Sequence, residues 1–406
     1  ASDVYKRQIE DSIERHFQDT MRGGHNKNNP ELVKKLVEEA PATMHWLEGK
    51  GLGFGPKVRV IVGGLYPRGH GAEGGGYGYI RVLEKFIKAY PDKVKVFTDT
   101  QAVKLIKDEA GKVIGVVGKH DGKDVNFMAS KGVIIATGGF GSNVEMRQAK
   151  NTGVWKEVTL DKNIPCTNNF KASQGDGLKL AEQVGANVIN LDDIQLHPGG
   201  TPKTGIMSSW PSGRNRIFLT PQGDRFVNED AARDTLCKAI FKEGGNYWIV
   251  SNHVKYPTLD YLSKNLTIGE MIKLGQAFSG NTIEELAQKT GMDPKKLRAS
   301  IDTYNNVVTG KIKEDNLGFK KFTQDDKPMT EGPFYATPMV PAVHHTMGGI
   351  QINSAAQVLD KNGQVIPGLF AAGEVTGGVH GSNRVGGNGI ADAMVFGRVS
   401  GQTALK

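Results

Sequence analysis

The segment GLFAAGEVTGGVHGSNRVGGNGIADAMVFGR, residues 368–398, carries the strongest pattern in the chain. A strand of small residues is predicted to end at Glu374, whose carboxylate can hold a ribityl or ribose hydroxyl. Gly386, Gly387 and Gly389 then open a predicted helix whose N-terminal amides and positive dipole suit an anion or an electron-rich ring edge. A strand, a glycine-rich turn and a helix in this order indicate a ligand site of an α/β protein.

Upstream of this segment, strands and helices alternate. Strands are predicted at Val58, Val94 and Val113, and VIIATGG at residues 133–139 is typical of a buried strand that ends in a glycine turn. SQGDGLKLAEQVGA, residues 173–186, predicts a turn followed by a helix. This rhythm is that of an α/β sheet with ligand contacts at its strand ends.

An inserted segment is predicted from a change in composition. From near Leu191 to about Val340 the sequence becomes irregular and contains predicted helices such as TIEELAQKTG, in which Thr282 and Glu285 have the spacing of a capping box. Sheet-like sequence then returns. The predicted organisation is a first α/β part at residues 1–191, an inserted domain at 192–340, and the second α/β part at 341–406.

The composition excludes several classes of protein. The 406 residues can bury a large core, and the formal charge of +8 is spread along the chain without a basic stripe. Nucleic-acid binding is therefore not predicted, and the positive field suits small anionic ligands. Cys166 and Cys237 stand in no disulfide or metal-ligand spacing, and no apolar run is long enough for a transmembrane segment. No metal site is predicted.

A second glycine-rich stretch, RGHGAEGGGYGYIRVLEKF at residues 68–86, raises the question whether a dinucleotide binds there. Gly69, Gly71 and Gly74 satisfy the G-x-G-x-x-G pattern that receives a pyrophosphate at a helix N-terminus. That pattern should begin directly after its strand, whereas GLYPR follows the strand VRVIVG and brings a proline into the turn. The residues alone favour a glycine-rich loop that allows two elements to pack closely.

Several motifs resemble, in order, those of the flavoprotein subunits of the fumarate reductase and succinate dehydrogenase family, specifically its flavocytochrome c fumarate reductase and urocanate reductase branch. The resemblance runs from about Asp19 to the C-terminus, which is nearly the whole chain. Its most specific motifs are GDRFVNEDAARD, HHTMGG and HGSNRVGGN. The others are DTMRGG, NPELVKKL, the stretch at residues 68–86, VIIATGGFG, GDGLKLAEQVGA and QLHP.

The resemblance implies an FAD-binding, Rossmann-like α/β domain into which an α+β clamp, or capping, domain is inserted, with the active site between the two. FAD would be bound non-covalently. In this family the pyrophosphate fingerprint lies at the extreme N-terminus, ahead of anything present here, so Gly69, Gly71 and Gly74 form a false fingerprint. The chain is accordingly expected to be an N-terminally truncated copy in which the first strand of the FAD-binding domain is missing.

The resemblance also implies a reaction, in which reduced FAD delivers hydride from N5 to one carbon of an activated C=C bond and an acid protonates the other. Arg384 matches the arginine that binds the substrate carboxylate, and its planar fork suits bidentate binding. His345 matches a histidine that bonds the same group, with His344 the less favoured alternative, and His197 matches a second substrate-binding histidine. Arg233 matches the proton donor, a role that needs a relay because guanidinium loses its proton only above about pH 12.

One motif departs from the family pattern. Counted from His197, the family's threonine and glutamate fall on Ser209 and Trp210, and the arginine of its proton relay falls on Gly213, next to Arg214. Ser209 keeps a hydroxyl, whereas Trp210 can neither hold a carboxylate nor pass a proton. This departure predicts a substrate other than fumarate, such as an enoate with an apolar or aromatic tail, and packing by Trp210 is the alternative.

FAD contacts are also carried over by motif. They are dominated by the backbone, so the placement of glycines matters more than the identity of side chains. The predicted contacts are Ala136, Thr137 and Gly138 in the ATGG turn, Gly175 and Asp176 in GDG, Glu374, Arg384, and Gly387, Asn388 and Ile390 at the start of the last helix.

The sequence thus predicts an FAD-dependent reductase of the C=C bond of a small unsaturated carboxylate. Two alternatives stay open. One is a flavin dehydrogenase working in the oxidising direction, against which Arg233, His345 and Arg384 argue, and the other is a truncated, catalytically silent chain that cannot hold FAD. The electron donor is not identified: a domain or protein bearing FMN or haem is compatible, although the chain has no C-x-x-C-H haem site. The compartment, cytoplasmic or periplasmic, stays equally open.

Overall fold

The computed structural model describes residues 11–61, 63–167, 172–207, 214–263, 266–321 and 326–406. Its helices are α1 (Ile13–Gly23), α2 (Pro30–Gly49), α3 (Gly75–Lys88), α4 (Val144–Lys150), α5 (Asp176–Glu182), α6 (Arg233–Lys242), α7 (Ile268–Lys273), α8 (Ile283–Thr290), α9 (Pro294–Val308) and α10 (Asn388–Leu405). Its strands are β1 (Phe54–Val60), β2 (Pro67–Ala72), β3 (Thr100–Lys107), β4 (Val113–His120), β5 (Lys123–Met128), β6 (Val133–Ile135), β7 (Val188–Ile189), β8 (Ile194–Gly200), β9 (Ile217–Leu219), β10 (Tyr247–Asn252), β11 (Phe278–Gly280), β12 (Phe334–Thr346), β13 (Gly349–Gln351), β14 (Gln357–Leu359), β15 (Val365–Ala371) and β16 (Thr376–Gly377). A short 3-10 helix, Gly373–Val375, follows β15.

The chain divides into two compact units. Unit 1 comprises Ala1–Val158, Lys171–Ile194 and His345–Lys406, and unit 2 comprises Thr159–Phe170 and Gln195–His344. The sequence places an inserted domain at residues 192–340 between two parts of one α/β domain, and that division stays a prediction.

Unit 1 contains small open sheets. β6 and β15 pair in parallel, with Val133 opposite Leu369 and Ile135 opposite Ala371, and β14 lies antiparallel to β15 on its other side. β3, β4 and β5 form an antiparallel meander, β1 pairs with β2, and β13 lies between β7 and β16. Together with the helices, this mixture of parallel and antiparallel strands confirms the predicted α/β class.

Local sequence signals set the start of α2. The side chain of Asn29 accepts hydrogen bonds from the backbone N–H groups of Glu31 at 2.9 Å and Leu32 at 3.4 Å, and Pro30 occupies the first helical position. An asparagine cap followed by a proline is a strong start signal because each residue satisfies or removes an orphan N–H group. The predicted helix from Pro30 is therefore confirmed, and it packs against α10 in unit 1.

Two predicted strands of unit 1 differ from the structure. Residues 94–98 have no regular structure, and β3 begins only at Thr100, after Asp99 has turned the chain with a φ of 52°. Val96 and Phe97 are 68% and 56% exposed, and although the ring of Phe97 lies edge-on to that of Phe127 at 4.9 Å, the alternation of this segment does not bury a face. β6 is shorter than predicted and only partly buried, because Ile134 is 41% exposed.

The stretch at residues 68–86 passes from a strand into a helix, but the first two glycines of the pattern lie in the strand and not in the turn. Gly69 and Gly71 lie within β2, which pairs antiparallel with β1, while Gly74 is the N-cap of α3 with a φ of 76°. A Cβ atom on Gly69 would clash with the side chain of Ile61. The glycines therefore serve close packing of a hairpin and the start of a helix, as expected for a false fingerprint.

Unit 2 contains a five-stranded sheet in the order β11-β12-β10-β9, with β8 also pairing with β12. Its long strand β12 pairs antiparallel with β10 and with β11. Helices α8 and α9 supply apolar side chains to the core on this sheet, which includes Ile217, Leu219, Val250, Leu286, Leu297, Ile301, Tyr304 and Phe334.

The predicted capping box of α8 forms by half. The hydroxyl of Thr282 accepts from the N–H of Glu285 at 3.1 Å, as predicted. The Glu285 carboxylate, however, accepts from the N–H of Asn281 at 2.8 Å and not from that of Thr282. The helix is capped as expected, but the carboxylate reaches one residue further back.

No helix in the part of the chain that the structure describes is both long and apolar enough to cross a lipid bilayer. Among the same residues, no group of three or more His, Cys, Asp and Glu side chains is placed to hold a metal ion. Cys166 and Cys237 are free thiols.

Candidate active site

The loop that follows β6 and the turn before α5 lie next to each other in unit 1. The N–H of Gly175 donates to the carbonyl of Gly139 at 3.1 Å, and Gly138 and Gly175 have φ values of 73° and 78°, which glycine adopts without strain. The predicted contact residues that are exposed here are Ala136, Thr137 and Asp176. This corner of unit 1 therefore offers backbone groups and small side chains to a ligand.

Glu374 approaches the same loop. A Cβ atom on Gly139 would clash with Oγ1 of Thr346 and Oε1 of Glu374, so only glycine allows the backbone to come this close. Oε1 of Glu374 accepts from the N–H of Thr346 at 3.1 Å. Burial of the carboxylate raises the pKa of Glu374 to about 7, and the Thr346 N–H and the charge of Arg384 oppose this only in part.

The raised pKa of Glu374 predicts a specific pH dependence of stability. Between about pH 4.5 and pH 7 folded Glu374 holds a proton that the unfolded chain has lost, so the free energy of unfolding falls as the pH rises. Glu374→Gln removes this pH dependence. Between about pH 4.5 and pH 7, its free energy of unfolding should therefore rise relative to that of the wild type by up to about 3 kcal/mol. Urea unfolding of the FAD-free chain at several pH values measures the difference.

Glu48→Gln is the matched control, because Glu48 is exposed on α2 and pairs with His45. Its unfolding curves should follow those of the wild type at every pH. Parallel pH profiles for Glu374→Gln and the wild type would show that the carboxylate titrates as an ordinary exposed glutamate.

Arg384 is buried in unit 1, with 8% of the residue exposed. Its Nη1 donates to the carbonyl of Val385 at 3.3 Å, and a Cβ atom on Gly389 would lie 3.3 Å from the guanidinium carbon. Burial lowers the pKa of Arg384 to about 10, while the charges of Glu374 and Asp392 raise it. The guanidinium therefore stays protonated at neutral pH and supplies a buried positive charge.

The start of α10 combines a glycine cap with an inward-facing asparagine. Gly387 is the N-cap, with a φ of 82° and no side-chain cap hydrogen bond. The amide of Asn388 bonds to Nε2 of His16 at 3.0 Å and donates to Oγ1 of Thr20 at 2.9 Å, whereas Ile390 is 45% exposed. Asn388 thus holds α1 with its side chain, and only its backbone is left for the predicted FAD contact.

His344 and His345 are consecutive on β12, so their side chains point to opposite sides of the strand. Nδ1 of His344 lies 2.7 Å from the hydroxyl oxygen of Thr167, and its ring centroid lies 4.8 Å from that of His197. The ring of His345 instead lies edge-on to that of His380, at 5.3 Å. The structure thus brings His197 together with His344, the less favoured histidine of the sequence prediction.

Arg233 and His197 approach the same strand of unit 2. Nη1 of Arg233, the first residue of α6, donates to Oε1 of Gln195 at 2.8 Å, and Gln195 and His197 share one side of β8 because they are two residues apart. Nδ1 of His197 accepts from the N–H of Gly199 at 3.0 Å, which leaves the proton of the neutral ring on Nε2. Both side chains are buried, and both are hydrogen-bond donors.

Ser209, Trp210 and Gly213 lie outside the described residues, so the departing motif has no structural account. Arg214, the neighbour of the predicted relay position, pairs with Asp326 and holds Asp230 with a nitrogen to oxygen distance of 2.9 Å. Its guanidinium is therefore already engaged by two carboxylates of unit 2.

Some of the supporting residues were not predicted from the sequence. Gln195 could have been found by its period-two spacing from His197 on a strand, and Thr346 by its place between His345 and the glycines of HHTMGG. His380 and Asp392 carry no spacing that pairs them, and only the tertiary structure brings them together.

The chain matches the sequence profile of the FAD binding domain family over residues 2–390. It is 36% identical over 416 residues to the NADH:acrylate oxidoreductase of Vibrio harveyi, a match that covers 98% of this chain and 40% of that protein. It is 36% identical over 409 residues to the urocanate reductase of Eggerthella lenta, covering 98% of this chain and 65% of that protein.

Among solved structures, the open conformation of a flavocytochrome c3 fumarate reductase matches the chain with a TM-score of 0.74 and 32% identity, covering 98% of this chain and 68% of that chain. The chain spans less than two thirds of the length of the two curated relatives named above, at 40% and 65%.

The described residues of unit 1 fit FAD. The glycines at 138, 139 and 175 allow close approach of the backbone, Glu374 places a carboxylate beside the loop where a ribityl or ribose hydroxyl can be held, and α10 begins without a side-chain cap. A flavin nucleotide can use each of these features.

Proposed function

Because the chain belongs to the FAD-binding family that includes the fumarate and urocanate reductase flavoproteins, we propose that it reduces the C=C bond of a small α,β-unsaturated carboxylate. The observation that carries this proposal is the buried, protonated Arg384, which lies close enough to Glu374 in unit 1 for the two charges to interact. The relatives are named for acrylate, urocanate and fumarate, which share an alkene conjugated to a carboxylate.

Arg384 is proposed to bind the substrate carboxylate. Its planar guanidinium can donate two parallel hydrogen bonds, and burial strengthens each of them. As hydride adds to one alkene carbon, negative charge develops toward the carboxylate, and a fixed cation stabilises that charge more in the transition state than in the substrate. Reduced FAD supplies the hydride when it is bound.

Arg233 is proposed to supply the proton. Arg233 donates to Gln195, which fixes the direction of its guanidinium, and it stands at the N-terminus of α6, where the helix dipole disfavours a cation. His197 carries its proton on Nε2 and can donate a hydrogen bond to a substrate oxygen. Proton donation by an arginine still requires a group that restores the proton.

The proposed preference for an enoate with an apolar or aromatic tail rests on Ser209 and Trp210. An aromatic ring at the distal end of the site would pack on such a tail and would give fumarate no second cationic partner. The electron donor is proposed to be a domain or protein that bears FMN or haem.

The test begins with the absorbance spectrum of the purified chain incubated with FAD. Bound FAD is reduced anaerobically with dithionite, and cinnamate, urocanate, fumarate and acrylate are then added one at a time. Reoxidation by at least one enoate is expected, which needs no natural electron donor. Failure to retain FAD, or retained FAD that no enoate reoxidises, would refute the function. Faster reoxidation by fumarate than by any aryl or alkyl acrylate would refute the substrate preference.

Substitution of the two adjacent histidines tests which of them serves the substrate. His344 shares its surroundings with His197, so we propose it as the second donor and expect His344→Gln to raise KM about tenfold or more. His345→Gln should leave KM within about threefold and act on the flavin instead. KM and kcat are measured from the reoxidation rates with the preferred enoate.

His45→Gln is the control for this pair, since His45 is exposed on α2 and pairs with Glu48. It should behave like the wild type. The reverse outcome, a large KM change for His345→Gln and none for His344→Gln, would return the substrate role to the residue that the sequence predicted.

A further inference from the structure

His380 and Asp392 form a buried hydrogen-bonded pair in unit 1 that none of the assigned roles uses. Their residues are 3% and 1% exposed, and Nε2 of His380 lies 3.2 Å from Oδ2 of Asp392. His380 stands in the loop before α10, and Asp392 lies at the fifth position of that helix. Because the loop and the helix also carry Arg384, the pair belongs to the same corner of unit 1.

Each member of the pair has a buried polar atom that is not satisfied. Nδ1 of His380 and Oδ1 of Asp392 make no hydrogen bond to any residue that the structure describes. Buried polar atoms normally have partners, and exceptions in native proteins point to a ligand, a water or a strained functional group. Two such atoms on one pair indicate that a ligand or water supplies the missing hydrogen bonds.

The pair lies close to two residues of the candidate site. The His345 ring lies edge-on to His380 at 5.3 Å. Burial lowers the pKa of Arg384, and the negative charges of Glu374 and Asp392 raise it. A change in Asp392 therefore alters the net charge beside Arg384, and a change in His380 alters the support of His345.

We propose that His380 and Asp392 are a positioning dyad for bound FAD: Asp392 orients the His380 ring and sets the negative charge next to Arg384, while His380 supports His345. The chemistry that the dyad serves rests on the proposed function. Its effect on bound FAD does not, because affinity and reduction potential can be measured without an enoate.

Removal of the Asp392 charge should make bound FAD easier to reduce. A nearby negative charge disfavours the extra electrons of reduced flavin, so we expect Asp392→Asn to shift the midpoint potential to a more positive value. His380→Phe keeps a ring beside His345 but offers no donor to Asp392, and we expect a rise of about tenfold in the FAD dissociation constant. His380→Gln can still donate to Asp392 and should lie within about threefold of the wild type.

Dye-coupled dithionite titration measures the potential, and flavin fluorescence measures the dissociation constant. Asp315→Asn is the matched control, because Asp315 is a buried carboxylate of unit 2 that pairs with Arg225. It should lower Tm without moving the potential. Asp392→Asn with a wild-type potential, or His380→Phe and His380→Gln with the same affinity as the wild type, would overturn the dyad.

These outcomes separate the dyad from the proposed function. A wild-type chain that binds FAD but reduces no enoate would refute the function alone, and the shifts above would still support the dyad. A wild-type chain that binds no FAD would overturn both. If Asp392→Asn fails to fold, the comparison of His380→Phe with His380→Gln decides, because both keep the buried carboxylate.

Discussion

Replacement of Arg233 by Gln should slow enoate reduction by about a thousandfold while FAD binding stays at its wild-type value. Gln195 accepts from Arg233 at 2.8 Å and holds the guanidinium in one direction. A glutamine at position 233 has no acidic proton to donate and loses this fixed orientation. The measurement is the single-turnover rate at which enoate reoxidises dithionite-reduced FAD, which separates the chemical step from electron delivery.

Two variants show whether this loss belongs to proton donation. Gln195→Leu keeps Arg233 but removes its acceptor, and we expect a smaller loss of about tenfold. Arg298→Gln makes the same change of residue type on α9, where the exposed Arg298 pairs with Glu284, and it should have no effect. A rate for Arg233→Gln within about tenfold of the wild type would assign the proton to another group.

The elements that were predicted well depend on short-range signals. Asn29 and Pro30 define the start of α2 within four residues, and Thr282 caps α8 through an N–H only three residues away. Caps and turns act over one helical turn, so their chemistry is readable without the rest of the fold.

The elements that were predicted wrongly depend on partners distant in sequence. The alternation in KVKVFTDT predicts a strand. A strand also needs a neighbouring strand with which to form backbone hydrogen bonds, and a surface that buries one of its faces. Val96 and Phe97 remain mostly exposed and residues 94–98 are irregular. Nothing within eight residues could have revealed that.

The candidate site shows the limits of motif matching. The assignment of His345 to the substrate stays a prediction, while its neighbour His344 is the residue whose ring lies beside that of His197. Likewise, His380 and Asp392 are twelve positions apart without a recognisable spacing, and their contact arises only where the loop folds back on α10. Residue types were predictable from the sequence, whereas partners were not.

Replacement of Arg384 should have an effect of similar size, but on binding of the substrate carboxylate. We expect Arg384→Gln to lower kcat/KM by about a thousandfold, since a buried charge-assisted pair is lost in a site where water cannot replace it. Arg384→Lys keeps the charge without the planar fork, so it should recover part of the loss, to about thirtyfold below the wild type. Steady-state reoxidation rates over a range of enoate concentrations give kcat/KM.

A substrate without the carboxylate distinguishes this role from a general loss of structure. The amide of the preferred enoate cannot pair with a cation, so the wild type should prefer the acid strongly and Arg384→Gln should show almost no preference. Arg398→Gln is the matched control on α10, where Arg398 donates to Thr43 and lies over the ring of Trp46, and it should keep the wild-type preference. Equal losses for acid and amide in Arg384→Gln would mean that Arg384 supports the fold or the flavin and does not bind the carboxylate. Because Asp392 would then lie without its buried counter-ion, that outcome should come with a lower Tm and weaker FAD binding.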